Sequence, residues 1–282
     1  MSIQQKPLVS ICIPVYNGEL FINKTIESVL AQSYQNIELV ILDNASTDKT
    51  EEIVSIYKNN LIRYIRNPEN IGLMANWNKA LKEAKGEYIK LLPADDIIHK
   101  NCVEEQVKVF QEFQDQNLVI VCCSRNIIDV DGRILTSRRF SGAKGVISGL
   151  KSIKRIVRSG TNPLGEPGAI LFKKEIITKS GQFVDDFPYV IDLNLWVKML
   201  AYGNLYVISD SLCDFRVSRQ SESVNTRHSH GYDFSRFINS LDMNKYQLTS
   251  FDIRIGTINC QLLEVLRRLF YRLSKILVLF SK

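Results

Sequence analysis

Residues 8–43, LVSICIPVYNGELFINKTIESVLAQSYQNIELVILD, decide the fold class. Segments 8–15 and 37–43 are apolar runs rich in Val and Ile, and such runs predict buried β-strands. Between them, residues 20–31 carry apolar side chains at helical spacing. A strand, a helix and a second buried strand at this spacing predict a βαβ unit with two parallel strands.

The same alternation continues along the chain. A second helix is predicted to start at Ser46, Thr47 and Asp48, because these residue types favour helix N-termini. The further predicted elements are a strand at 61–66, a helix at 72–85, a strand at 87–92, a helix at 99–113, a strand at 118–123, a helix at 191–201 and a strand at 204–209. Residues 129–168 hold seven of the 14 glycines and are predicted to be loops around short elements. The sequence therefore predicts an α/β fold with a mainly parallel sheet flanked by helices.

The positive charge of the chain is unevenly distributed. The formal net charge is +6, and residues 251–282 contribute six basic side chains against two acidic ones. A local excess of this kind predicts one anionic partner and argues against a nucleic-acid-binding protein.

Cysteine usage and the lack of long apolar segments bear on location. The six cysteines form no CxxC pair, and Cys12, Cys122 and Cys123 lie in apolar runs, which is typical of reduced core thiols in a cytosolic protein. Residues 1–10 lack the apolar stretch of a signal peptide, and no segment has the roughly 18 apolar residues of a membrane span. We therefore expect a cytoplasmic protein that is soluble or peripheral to a membrane.

Three predicted strands each end in a polar cluster. Residues 14–17 (PVYN), 43–48 (DNASTD) and 93–96 (PADD) follow the first, second and fourth strands. Ligands of open parallel sheets bind beyond the carboxyl ends of the strands, so the three clusters predict a common site.

Each cluster has a structural and a functional interpretation. Asp95 and Asp96 suit a turn or a helix N-cap, but two carboxylates at a strand end also suit a divalent cation that holds a diphosphate. Asp43 and Asn44 are either turn formers or hydrogen-bonding partners of a nucleobase. Neither GxGxxG nor GxxxxGK[ST] occurs, which argues against an ordinary NTPase or dehydrogenase.

Several segments in order resemble a known family. These are VSICIPVYNG (9–18), ESVLAQSYQNIELVILDNASTD (27–48) and NPENIGLMANWNKALKEAKGEYIKLLPADD (67–96), followed more loosely by GEPGAILFKKE, DLNLWVKMLAYG and DFRVSRQSES. Together they resemble family 2 glycosyltransferases with the GT-A fold, of the type found in bacterial polysaccharide and O-antigen synthesis. The resemblance reaches about residue 225.

The resemblance implies roles for individual residues. It implies a nucleoside diphosphate sugar donor, of the UDP or dTDP type, and Mg²⁺ or Mn²⁺ as cofactor. Asp96 would bind the metal directly, and Asp95 would belong to the same acidic metal and ribose motif. The other residues implied to line the nucleotide site are Pro14, Tyr16, Asn17, Asp43, Asn44, Asn70, Gly72 and Asn78.

The resemblance also implies a catalytic carboxylate in the second half. Asp185, Asp186 and Asp192 all lie in the right neighbourhood, and Asp192 is preferred because the apolar side chains after it give it a fixed helical platform. It would take the proton from the acceptor hydroxyl during a single displacement that inverts the anomeric configuration.

The chain departs from the family pattern at several positions. Pro93 stands where the metal motif often has a further Asp, and Trp77 stands where an Arg usually precedes Asn78. A His often found near Ser218 is missing, and His228 and His230 lie a little beyond, either near the site or in a polar loop. The Q/RxxRW motif of processive synthases is absent, so we expect transfer of single sugars.

The expected organisation is a catalytic domain over 1–235, with a nucleotide-binding half (1–98) and an acceptor half (99–235), and a helical extension over 236–282. Residues 255–282 follow one helical pattern with basic residues beside its apolar face. This helix either packs on the domain or a second subunit, or lies on an anionic membrane. In the family's bacterial pathways the acceptor is a saccharide or a polyisoprenyl-linked saccharide.

Two other functions remain open from the sequence. A sugar nucleotidyltransferase would also use a metal and a nucleotide pocket at the strand ends, but normally has a Gly-rich basic loop after the first strand, and none is present. A non-catalytic relative would bind sugar nucleotides or act as a scaffold, although Asp95, Asp96 and Asp192 are all present.

Overall fold

Buried apolar residues form a parallel sheet in the first half of the chain. The structure is a computed structural model that describes residues 6–140, 144–218 and 230–280, with side chains up to residue 267. The strands of the first half are β1 (Val9–Val15), β2 (Ile37–Asp43), β3 (Ile62–Arg66) and β4 (Tyr88–Leu91). The register places Val15 beside Asp43 and Asp43 beside Arg66, so the first three strands end at one level. β4 ends earlier, with Leu91 beside Cys12, which leaves residues 92–96 at the carboxyl edge of β1.

The second half completes one ten-stranded sheet. Its strands are β5 (Ile97–Ile98), β6 (Leu118–Ile128), β7 (Ile134–Arg138), β8 (Gly145–Ile147), β9 (Ile170–Lys173) and β10 (Asn204–Arg216). The order is β3-β2-β1-β4-β9-β6-β10-β5, with β7 on β6 and β8 on β10. β9 runs antiparallel to both β4 and β6, so the sheet is mixed. The α/β class is confirmed, and the parallel arrangement predicted for most of the sheet holds in its first half and between β6 and β10.

Helices cover both faces of the sheet. On one face lie α1 (Ile22–Leu30), α2 (Thr50–Ser55) and α4 (Cys102–Glu112), and the other carries α3 (Leu73–Glu83), α5 (Gly149–Ser159) and α7 (Ile191–Leu200), with the short α6 (Ile177–Ser180) beside α7. Alternate residues of β1 supply the two faces: Ile11 and Ile13 belong to one hydrophobic cluster and Cys12 to the other. All six cysteines are free and buried, which confirms that they are core thiols.

Three segments differ from the sequence-based expectation. β6 and β10 extend past their predicted ends at 123 and 209, because polar residues such as Arg125 and Arg216 are buried there and hide the strand pattern. Within the predicted loop region 129–168, α5 forms a full helix whose residues Ile153, Ile156 and Val157 are buried.

The C-terminal helices pack on the second half. α8 (His230–Ser240) contacts α9 (Ser250–Phe280), and α9 also packs along α5. Gly256 allows the close approach to α5, because a Cβ there would lie 2.2 Å from the carbonyl oxygen of Val157. The boundary expected between residues 235 and 236 falls inside α8. Within the described ranges, no helix combines the length and hydrophobicity of a transmembrane span.

Candidate active site

Asp43 ends β2 and is completely buried. Its Oδ1 accepts a hydrogen bond of 2.8 Å from the N–H of Ser46, and its Oδ2 accepts one from the Tyr64 hydroxyl and one of 2.7 Å from Arg66. Burial, and then the bond to Asp43, raise the pKa of the Tyr64 hydroxyl, which therefore stays neutral and donates. The carboxylate thus fixes the turn after β2 and holds a guanidinium at the same edge.

Asn44 organises the loop before α3. Its Nδ2 donates to Oδ1 of Asn70 at 2.7 Å, and its Oδ1 accepts from Nδ2 of Asn67 at 3.0 Å and from the N–H of Ile71 at 2.9 Å. Gly72, with φ 85°, then lets the chain turn into α3. The structure therefore brings Asn70 and Gly72, two of the residues expected to contact the nucleotide, to Asn44.

The loops after β1 and β2 are tied together by Asn17. Its backbone N–H donates to Oγ of Ser46 at 2.9 Å, and its Oδ1 accepts from the N–H of Thr47 at 2.8 Å. Pro14 is buried within β1, whereas half of Tyr16 is exposed at the strand end. Tyr16 is therefore placed to present a flat aromatic surface to a ligand at this edge.

Asn78 has a different environment. Its Nδ2 donates to the carbonyl oxygen of Phe183 at 3.0 Å, and its Oδ1 accepts from the N–H of the same residue at 3.0 Å. Both ends of this amide join α3 to the segment before α7, so they are engaged within the protein.

Asp95 and Asp96 lie beyond β4, directly over the end of β10. Asp96 is 2% exposed, and its Oδ1 accepts a 3.0 Å hydrogen bond from the N–H of Arg216. Burial, and then the charge of Asp95, raise the pKa of the Asp96 carboxyl well above its ordinary value. The Arg216 side chain donates to the carbonyl oxygens of Asp95, at 3.0 Å, and Asp129, at 2.7 Å, and its guanidinium lies 4.6 Å from the ring centre of Phe21. A buried arginine thus supports the acidic turn.

The acidic pair suits a metal that is shared with a substrate. With Oδ1 of Asp96 engaged by the backbone, Oδ2 faces Gly168, where an added Cβ would lie 3.5 Å away. Among the described residues, no three His, Cys, Asp or Glu side chains converge to hold a metal by themselves. Mg²⁺ in nucleotide enzymes commonly takes one or two carboxylates and completes its shell with water and phosphate oxygens. Asp95 and Asp96 therefore fit an ion that binds together with a diphosphate.

Asp192 is the first acidic residue of α7 and is half-buried. Its Oδ1 accepts from the N–H of Leu193 at 2.7 Å, and its Oδ2 accepts from Nδ2 of Asn162 at 3.1 Å. Burial, opposed by the Leu193 hydrogen bond and reinforced by the charge of Glu166, raises the pKa of Asp192 to about 7. A carboxyl with this pKa is suited to proton transfer near neutral pH.

Residues 162–168 connect Asp192 with Asp96. Asn162 binds Asp192 at the start of this loop, and Gly168 lies against Asp96 at its end. Between them, Glu166 forms an ion pair with Arg125, whose side chain is 2% exposed. The charge of Glu166 raises the pKa of both aspartates, so the loop places a third carboxylate in electrostatic reach of both.

The alternative acidic residues lie elsewhere. Asp185 and Asp186 are exposed, and Asp186 is close enough to Lys198 to influence its pKa. His230 is buried and stacks on Tyr189 with ring centres 3.6 Å apart, and Arg267 lies 2.7 Å from its Nδ1. His228 lies outside the described residues. Of the three candidate bases, Asp192 alone is half-buried and held by the loop that reaches Asp96.

The chain matches a known protein family. The profile of glycosyl transferase family 2 matches residues 10–181, which include all but the first residue of β1, all of β2 to β4 and the acidic turn. The chain belongs to glycosyl transferase family 2. An uncharacterized glycosyltransferase of Rickettsia typhi is 33% identical over 224 residues, which cover 78% of this chain and 67% of the relative. One of Rickettsia prowazekii is 30% identical with the same coverage.

Solved glycosyltransferase structures share the fold of this family 2 enzyme. The crystal structure of Staphylococcus aureus TarS 1-349 superposes with a TM-score of 0.65 at 20% identity, covering 89% of this chain and 71% of TarS 1-349. The mannosyltransferase PcManGT of Pyrobaculum calidifontis, in complex with GDP-Man and Mn²⁺, gives 0.62 at 17% identity, covering 90% and 70%. This similarity confirms the GT-A-like fold expected from the sequence.

Several residues of the candidate site could not be identified from the sequence. Arg216, Arg125 and Glu166 lie in segments that read as irregular or merely apolar, and Asn67 and Asn76 sit among many polar residues. Asn76 is nevertheless buried and links Asn67 to the carbonyl oxygen of Leu42. The sequence does carry one signal for Glu166. It lies in the segment GEPG (165–168), directly before a proline and between two glycines, and such a segment indicates a constrained loop.

Proposed function

We propose that this enzyme is an inverting, non-processive glycosyltransferase that moves one sugar from a nucleoside diphosphate sugar, of the UDP or dTDP type, to a saccharide or lipid-linked acceptor. The observation that carries the proposal is the Asp192 carboxyl, half-buried, oriented by Asn162 and with its pKa raised to about 7. Such a group suits deprotonation of a hydroxyl nucleophile.

The nucleotide half supports the donor side of the proposal. Asp43, Asn44 and Asn17 form a hydrogen-bonded rim, beside which Pro14, Tyr16, Asn70 and Gly72 are proposed to contact the nucleoside. Structures with the same fold have been solved with such ligands: TarS 1-349 in complex with UDP-GlcNAc has a TM-score of 0.65 at 20% identity. Asn78 would reach a nucleotide only by exchanging its bonds with Phe183.

Asp95 and Asp96 are proposed to hold Mg²⁺ or Mn²⁺. The ion would offset the negative charge that develops on the leaving nucleoside diphosphate. Burial and the charge of Asp95 raise the pKa of Asp96, and a bound cation would lower it again by stabilising the charged form of the carboxyl. The hydrogen bonds that Arg216 makes to this turn keep the two carboxylates at the carboxyl edge of the sheet.

Asp192 is proposed to act as the general base. Its ionised carboxylate takes the proton of the acceptor hydroxyl while that oxygen attacks the anomeric carbon from the face opposite the diphosphate. One displacement of this kind inverts the anomeric configuration. Glu166 and Arg125 hold the loop between donor and acceptor sides, and Asn162 fixes the orientation of the base.

The acceptor and the pathway belong to the same proposal. We place the reaction in the synthesis of a cell-surface polysaccharide, such as an O-antigen, at the cytoplasmic face of the membrane, where a polyisoprenyl-linked acceptor would be found. The basic residues and helical pattern of 255–282 support a peripheral membrane contact by the C-terminal helix.

A nucleotide panel tests the donor site first. We would measure thermal stabilisation by UDP, dTDP, GDP and CDP with and without Mn²⁺, and expect a metal-dependent shift with UDP or dTDP. Asp96→Asn keeps an acceptor for the Arg216 N–H and should lose the metal-dependent part of the shift. No shift with any nucleotide would contradict a sugar-nucleotide enzyme.

A transfer assay then tests the base. Asp192→Asn should abolish release of nucleoside diphosphate in the presence of an acceptor, while its thermal shift with nucleotide stays at the wild-type value. Asp185→Asn is the matched control and should keep its activity, because that carboxylate is exposed. Normal turnover by Asp192→Asn would refute its assignment.

A further inference from the structure

A strongly basic segment lies outside the active site. Between Asp131 and Glu166 the sequence contains eight Lys and Arg residues and no acidic residue. This local excess of eight positive charges is larger than the excess of four in residues 251–282. A charge of this density on one part of a surface attracts anionic partners.

Five of these basic residues surround a cavity of about 540 Å³ between β8 and α5. They are Lys144, Lys151, Lys154, Arg155 and Arg158. The remaining lining comes from Val146, Ile147 and Ser148, so this part of the described chain lines the cavity without an acidic residue.

One buried carboxylate partly offsets this charge. Asp252, in the first turn of α9, lies 3.4 Å from Nζ of Lys154 and 2.5 Å from Nε of Arg158. These contacts fix two of the cations against α9. The residues that line the cavity carry five cationic groups, and Asp252 offsets part of their charge.

An apolar stripe on α9 begins at the edge of the cavity. Phe251, Ile258, Leu262 and Val265 are each more than half exposed, and their spacing of seven, four and three residues places them on one face of the helix. The Arg158 guanidinium lies 5.8 Å from the ring centre of Phe251, so the basic cavity and the apolar stripe are continuous.

We propose that the cavity and the stripe together form a docking surface for the anionic face of a phospholipid bilayer. Basic side chains would contact lipid phosphate groups, and the apolar stripe would enter the interface between headgroups and acyl chains. A soluble polyanion matches the cavity but leaves the exposed apolar stripe in water. A second copy of the chain on this face would bring two basic cavities together.

This surface adjoins the proposed acceptor side of the active site. Arg158 lies in the last turn of α5, four residues before Asn162, which binds Asp192. Docking there would hold the proposed base close to a membrane-embedded acceptor. This role of docking rests on the proposed function. Lipid binding itself needs neither donor nor acceptor and is measured without them.

Vesicle co-sedimentation of the full chain tests the charged part. Vesicles of phosphatidylcholine with 30 mol% phosphatidylglycerol should bind the protein, and pure phosphatidylcholine vesicles should bind it at least tenfold more weakly. The double variant Lys151→Gln/Arg155→Gln should lower the partition coefficient roughly 25-fold, since each basic residue near an anionic surface contributes about fivefold. The matched control Lys24→Gln/Lys58→Gln removes the same charge from exposed residues on the nucleotide half and should bind like the wild type.

A second pair of variants tests the apolar part. Leu262→Ser should weaken vesicle binding about tenfold, because it removes apolar area from the stripe, whereas the exposed Ile56→Ser should not. Light scattering after gel filtration measures the oligomeric state of every variant.

Three results would overturn the proposal. The first is equal binding of wild type and Lys151→Gln/Arg155→Gln to anionic vesicles. The second is a wild-type dimer that dissociates in Leu262→Ser, which would assign the stripe to a second copy. The third is binding of soluble polyphosphate without vesicle binding, which would assign the cavity to a soluble anion. The vesicle experiments do not depend on nucleotide binding. The docking surface and the proposed transferase function can therefore be refuted independently of each other.

Discussion

Asn162 and Asp192 lie 30 residues apart in the chain, and Nδ2 of the first donates a 3.1 Å hydrogen bond to Oδ2 of the second. The same amide also donates to the carbonyl oxygen of Gly165 and accepts from its N–H. Asn162 therefore joins the proposed base to the loop that carries Glu166 and ends beside Asp96. The orientation of the carboxylate depends on this loop as much as on α7.

Replacing Asn162 should slow the chemical step. Asn162→Ala frees Oδ2 of Asp192 and loosens the loop, and misplacing a catalytic group in this way costs roughly 10- to 100-fold in kcat. The thermal shift with nucleotide should change little. Asn239→Ala, which removes an exposed amide from α8, serves as the control. An unchanged kcat in Asn162→Ala would show that Asp192 needs no such support.

The pH dependence should report the ionisation of Asp192. With its pKa raised to about 7, activity should fall as the pH drops through 7, because the protonated acid cannot accept the acceptor's proton. Glu166→Gln removes a negative charge that favours the protonated form, so the acid limb of kcat/KM should move to lower pH. Gln also keeps an acceptor for Arg125. The exposed Glu175→Gln should leave the profile in place, and an unmoved limb in Glu166→Gln would contradict the coupling.

The strands of the first half of the fold could be predicted from the sequence almost to the residue. β2 has the predicted bounds of 37–43, and the other first-half strands differ by one or two residues, because their apolar runs are uninterrupted and their ends carry turn residues. The polar clusters after β1, β2 and β4 were found for the same reason. Strand position and residue type therefore sufficed to locate this half of the site.

The second half could be predicted only in part. Arg125 and Arg216 interrupt the apolar patterns of β6 and β10. Arg125 is stabilised in the interior by an ion pair with Glu166, and Arg216 by hydrogen bonds to carbonyl oxygens of distant segments. Such partners are set by tertiary structure and leave no local periodicity. Asn78 shows the opposite case: a polar residue on a predicted helix beside the site has its amide bonded to Phe183.

Removing the charge of Asp192 should stabilise the fold. Its pKa in the folded enzyme, about 7, exceeds the ordinary value of 3.8, so the folded state binds the proton more tightly than the unfolded state between these values. Wild-type stability is then lost as the pH rises through this window, and the uncharged Asp192→Asn escapes the loss. Its melting temperature should exceed that of the wild type by a few degrees at pH 8 and converge with it near pH 4. Equal melting temperatures at pH 8 would show that the carboxylate is well solvated.

Arg216 should be essential to the acidic turn. Arg216→Met leaves the carbonyl oxygens of Asp95 and Asp129 without their buried donor, which should lower the free energy of unfolding by about 3 kcal/mol. Urea unfolding measures this loss. Arg133→Met, at an exposed arginine, should cost little. A stable Arg216→Met enzyme that keeps its response to Mn²⁺ would show that the turn is held by other contacts.

Gly168 offers a graded test of the space beside Asp96. An added Cβ would lie 3.2 Å from Cδ1 of Leu92 and 3.5 Å from Oδ2 of Asp96, so alanine nearly fits and valine crowds the carboxylate. Gly168→Ala should keep most of the Mn²⁺-dependent nucleotide shift, and Gly168→Val should lose most of it while remaining folded in circular dichroism. The metal-independent part of the shift should be equal in both variants, because Asp43 and Asn44 lie away from this loop in sequence and bond to other residues. If valine left the Mn²⁺ response intact, the metal would have to approach Asp96 from a side that Gly168 does not border.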